Sequence, residues 1–96
     1  MRFAYIIMGR FNAPTDEAEI CNDQDWVQVF GVASMEETLH TAERLRREGV
    51  DCIELCGAFG EEGARRVMEA TENRIPVGYV THLPEQDPLY RAVFAQ

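Results

Sequence analysis

The sequence predicts a small α/β domain: a mainly parallel four-stranded sheet with βαβ crossovers, in the order β–loop–β–α–β–α–β–α. Three observations lead there. Short apolar runs of strand length alternate with stretches of helical periodicity, as βαβ units do. Helix start and stop signals sit between those runs. The length of 96 residues with 46% apolar content fits one domain, residues 1–96, with one modest core.

Each element has its own warrant. Residues 3–8, Phe-Ala-Tyr-Ile-Ile-Met, are continuously apolar up to Gly9, which is how a strand covered on both faces reads. Residues 10–25 are polar and acidic and read mostly as loop, long enough that it is either mobile or functional. Residues 26–32, Trp-Val-Gln-Val-Phe-Gly-Val, form the second strand. Ser34 to Glu37 then matches a capping box, in which the Ser hydroxyl takes an orphan N–H and the Glu reaches back. Met35, Leu39, Ala42 and Leu45 follow at helical spacing, Arg44, Arg46 and Arg47 load the last turn, and Gly49 supplies a left-handed cap. This predicts a helix over 35–48. Residues 51–56 are the third strand, and 57–60 a glycine-bearing turn. Residues 61–72 are a second helix with Ala64, Val67, Met68 and Thr71 inward, ended by Asn73. Residues 76–81 are the fourth strand, its proline at the tolerated first position. Asp87-Pro88 reads as an N-cap and N1 proline before a short helix over 89–94.

Composition excludes several functions. The net charge is −8 and all nine bases are arginine, with one dense run at 44–47 among more numerous acids. Neither nucleic acid nor an anionic membrane surface is therefore an expected partner. No stretch approaches the ~20 apolar residues of a membrane span, and residues 3–8 are too short for a signal core. Cys21, Cys52 and Cys56 are odd in number and match no disulfide framework, so a reducing, cytoplasmic setting is expected.

Ligands of parallel α/β sheets lie beyond the carboxyl ends of the strands. Gly9, Gly57, Phe59, Gly60 and Thr81 stand there as candidate ligand-binding residues, and Glu54, Cys56 and His82 as candidate catalytic ones. The glycines serve either turn chemistry or close approach of backbone to a ligand. The 57–60 turn before a helix resembles a phosphate cradle, but Glu61 and Glu62 already complement that helix end, and no nucleotide-binding glycine motif is present. Alternation puts Cys52, Glu54 and Cys56 on one face of the third strand. Glu54 is then an ion pair with Arg2, Arg10 or Arg74, an interface residue, or a general acid or base. Cys56 and His82 end neighbouring strands, as a nucleophile–base pair, a soft metal site, or an inert thiol beside a hydrogen-bonded imidazole. Cys52 and Cys56 lack C-x-x-C spacing, and neither a metal nor a cofactor is expected.

The stretch Ile53-Glu-Leu-Cys-Gly-Ala-Phe-Gly-Glu-Glu-Gly-Ala64, with Val77-Gly-Tyr-Val80 after it, resembles a family of small single-domain bacterial proteins of unknown function. Phe3 to Met8 and the strand at Val27–Val32 resemble it too, so the likeness covers nearly the whole chain. It implies a compact α/β protein and brings no reaction with it.

Two functional readings follow. One is a small-molecule-binding protein or small enzyme, with a small polar metabolite bound at the carboxyl ends of its strands. The other is a non-catalytic structural or regulatory homo-oligomer. Self-association is expected in either, because three helices do not readily cover both faces of a parallel sheet. Leu89, Tyr90, Val93 and Phe94 offer the contact surface.

Overall fold

A computed structural model describes residues 1–94; the last two residues of the expected domain lie outside them. Strands β1 (Arg2–Met8), β2 (Glu17–Cys21), β3 (Trp26–Val32), β4 (Cys52–Leu55) and β5 (Val77–Tyr79) form one sheet in the order β2-β3-β1-β4-β5. Helices α1 (Met35–Arg47), α2 (Gly60–Ala70) and α3 (Asp87–Phe94) complete the fold. β1 pairs parallel with β3 and β4, and β4 parallel with β5. The expected parallel core and crossover helices are present.

The strand count is corrected from four to five. The segment read as loop contains β2, which pairs antiparallel with β3. Asn22 makes the hairpin turn: its side-chain oxygen accepts from the N–H groups of Gln24 and Asp25 at 2.9 and 2.8 Å, and its own N–H donates to the Asp25 carbonyl. The acids of β2 hid it. On an edge strand, charges guard against further pairing instead of arguing against strand.

Helix α1 starts on the predicted cap. Ser34 Oγ accepts from the Glu37 N–H at 3.2 Å, and Glu37 returns its carboxylate to the Ala33 N–H at 3.1 Å, one residue before the cap. Gly49 follows the helix at φ +82°, the left-handed conformation that favours glycine. Thr38 was not on the expected inner stripe. It is fully buried, because its hydroxyl donates to the Ser34 carbonyl at 2.8 Å and leaves only the methyl group to pack.

The core lies on one side of the sheet. Ala4, Ile6, Phe30, Val32, Ile53 and Leu55 point into it from the strands, and Ala42, Leu45, Ala64 and Val67 from the helices. Topology explains this. The connection β3–α1–β4 steps across β1, and β4–α2–β5 continues in the same direction. Right-handed crossovers stepping the same way place their helices on the same face. The burial of β1 records the result. Ala4 and Ile6 have no exposure, while Phe3, Tyr5 and Ile7 between them are only partly covered.

Helix α3 stands apart. None of its residues is buried. The molecule measures 39 × 27 × 25 Å, with a radius of gyration of 13.8 Å, against about 12.5 Å for a compact chain of this length.

Candidate functional site

The carboxyl ends of β1, β3, β4 and β5 lie along one rim, as the parallel pairing requires. There the Gly9 N–H donates to the Val32 carbonyl at 2.9 Å and the Val80 N–H to the Leu55 carbonyl at 2.9 Å. Cys56 ends β4. Its N–H donates to the Ile6 carbonyl, and its Sγ accepts from the Met8 N–H at 3.4 Å. The thiol is tied to β1.

His82 belongs to a different neighbourhood. Its Nε2 lies 2.5 Å from Asp87 Oδ1, and its ring stacks on Tyr90 at 3.9 Å between centroids, 10° from parallel. The imidazole clasps α3 to the segment before it, and no hydrogen bond joins it to Cys56 among the described residues. Two strand-end residues that the sequence placed together therefore have separate partners. β5 ends at Tyr79, earlier than expected, and so the chain leaves the sheet before it reaches Thr81 and His82. Asp87 is also corrected. It has helical dihedrals of −49° and −46° and is no N-cap. Its carboxylate serves His82 and, at 3.8 Å, Arg91.

The remaining candidates sort by environment. Phe59 is buried against Gly63, where a Cβ would come within 3.0 Å of it, and so it is a core residue. Gly60 has φ +62°, a conformation that needs glycine to turn the chain into α2. At Gly9 an added Cβ would lie 2.8 Å from the Phe11 ring, so this glycine makes room for a side chain of the same molecule. Gly57 and Thr81 are exposed.

Glu54 is exposed, not buried as a mid-strand position in a doubly covered sheet would be. Arg2 is engaged elsewhere, by Glu48 at 2.7 Å and Gln28 at 2.9 Å, and Arg74 by Glu72 at 3.6 Å. Among the described residues no ion pair reaches Glu54. Its carboxylate lies over Gly78, the residue paired with it on β5, filling the space where a side chain would be. Desolvation by burial, then the negative charges of Glu54 and Asp51, hold the Cys52 thiol above the ordinary thiol range. No group of three or more His, Cys, Asp or Glu among the described residues is arranged to hold a metal ion. No helix among them is long and apolar enough to cross a membrane.

Three helices were expected to leave one sheet face short of cover; which residues make up that second face is what residue-by-residue reasoning missed. Phe3, Tyr5 and Ile7 of β1 share it with Val27 and Val29 of β3, as the register requires. Ala18 and Ile20 of β2 extend it, and Ile20 is 74% exposed. Phe11 lies over Gly31 at its upper edge. Cys52 and Glu54 of β4 form its other flank. The apolar run at 3–8 already carried the signal: both sides of β1 are apolar, and one chain covers one side. A second apolar surface runs along α3, where Leu89, Tyr90, Val93 and Phe94 line a shallow groove. Another shallow, open depression lies at the opposite end of the strands, around Arg2, Asp25 and Asp51.

The profile of a family of unknown function, DUF6506, matches residues 1–95. The chain belongs to that family. No curated protein and no solved structure matches this DUF6506 chain significantly. The expected resemblance to a small α/β family of unknown function is thereby shown over nearly the full length.

Proposed function

We propose that this DUF6506 protein works as a self-associating α/β module, a structural or regulatory homo-oligomer. The observation that carries the reading is the open apolar face of a sheet whose strands are mostly parallel. Such sheets are covered on both faces, and here both crossover helices lie on one. Contiguous apolar patches beyond a few hundred Å² mark interaction surfaces on soluble proteins. On α3, Leu89, Tyr90, Val93 and Phe94 are 62, 37, 62 and 75% exposed. At about 200 Å² per large side chain they leave on the order of 500 Å² in water. If each copy contributes this helix and the sheet area it covers, the interface approaches the ~800 Å² per partner of stable complexes.

Binding of a small polar metabolite at the strand ends is less well supported. Phe59 faces the core, and Cys56 and His82 have separate partners. Sedimentation velocity from sub-micromolar to about 100 μM tests the reading. A dimer or larger closed oligomer is expected, converted toward monomer by Val93→Asp. A monomer throughout that range would overturn it.

A further inference from the structure

The open face carries one charge among its strand residues, Glu54, and that carboxylate has no ion-pair partner among the described residues. Its position over Gly78 sets it at the β4–β5 border of the apolar patch, beside Tyr5 in the β1 register and not in the middle of the patch. Helix α3 has the complementary layout. Its single base, Arg91, flanks the apolar stripe next to Phe94 on the helical wheel. The side chain is 77% exposed, and among the described residues its ion pair is with Asp87 of its own helix, at 3.8 Å. Eight helical residues span about 12 Å, the length of about four strand residues at ~3.3 Å each. A helix laid along the strands with its stripe on β1 and β3 has its flank over β4.

Resting on the self-association reading, we infer that α3 of one copy lies along the strands on the open sheet face of a second, with the second copy's Glu54 receiving the first copy's Arg91. The exchange is reciprocal about a two-fold axis, so both faces and both helices are used. The pair fixes which way the helix lies, since apolar contact alone is indifferent to direction.

A charge-reversal cycle tests this: Glu54→Arg, Arg91→Glu and the double variant, with self-association constants from sedimentation and folding checked by circular dichroism. Each single reversal is expected to weaken association at least about tenfold, and the double variant to recover most of that loss. The effect of Arg91→Glu on Asp87 within its own helix is common to both arms and cancels. If the double variant is as weak as the product of the two singles, the pairing is wrong while self-association stands. A parent chain that stays monomeric overturns both.

Discussion

Ile6 and Ile7 are adjacent, identical in type and on opposite faces of the same strand, which makes them a matched probe of what covers each face. Replacing Ile by Ala removes three carbons, a transfer loss of about 2.4 kcal/mol at ~0.8 kcal/mol per buried methylene. Ile6 has no exposure and lies under the helices, so Ile6→Ala also leaves a cavity, bringing the cost to about 3–4 kcal/mol. For a domain of this size that lowers the melting midpoint by on the order of 15–25 °C. Ile7 is partly exposed and lies on the face away from the helices. Ile7→Ala leaves a dent that water fills, and about 1.5 kcal/mol is expected. The assay is urea denaturation of both variants and the parent, at a concentration where sedimentation shows monomer and at one where it shows assembly. In the monomer the two costs should differ by about 2 kcal/mol. In the assembly Ile7→Ala should approach Ile6→Ala, because a covered Ile7 leaves a cavity too, and the gain should follow mass action. Equal costs in the monomer would refute the claim that this face is open. A cost for Ile7→Ala that ignores assembly would place the interface elsewhere.

Two further outcomes follow from the side-chain environments. The raised pKa of the Cys52 thiol means that the fold favours the protonated form; its contribution to stability is full below the ordinary thiol value of ~8.5 and is lost as pH rises through the folded-state value. Cys52 should alkylate more slowly than exposed Cys21 at pH 8 by mass spectrometry, Glu54→Gln should quicken it, and Cys52→Ser should remove part of the alkaline destabilisation; a Cys52 as fast as Cys21 would contradict this. Because the His82 clasp orders α3 without joining the core, His82→Ala should speed hydrogen exchange in α3 while changing global stability by less than about 1 kcal/mol; a loss of several kcal/mol would show that α3 is part of the core.

What the sequence disclosed and what it withheld divide along the range of the interactions. Helix α1 was legible because its signals are local: Ser34 and Glu37 at its start, Gly49 at its end, and an apolar stripe between them. The strands at 26–32 and 51–56 were legible from apolar runs bounded by turns. Strand β2 was not, since Glu17-Ala-Glu-Ile-Cys21 becomes a strand through its partner β3, although the Asn22 turn and the alternation were there to read. The environment of Glu54 depends on which face the helices take, a property of the whole topology that no window around residue 54 contains. Cys56 and His82 looked paired because their strands are neighbours, but β5 ends three residues short of His82, and the imidazole goes with α3.

Strand β2 gives independent testimony about the open face. It lies at the edge of the sheet, paired with β3 alone, and it alternates acid with apolar. The register sets Ala18 opposite Val29 and Ile20 opposite Val27, so its apolar residues continue the open face, while Glu17 and Glu19 lie on the helix side. A shift of one residue would reverse this and put the acids on the open face. The hairpin turn at Asn22 and the bond from Trp26 Nε1 to the Glu19 carboxylate, 2.7 Å long, hold the register as it is. A sheet that keeps one face for water turns its polar side outward there. This one brings Ile20, at the outermost strand, round to join Val27, Tyr5 and Ile7, which is the arrangement required of a surface that closes against another.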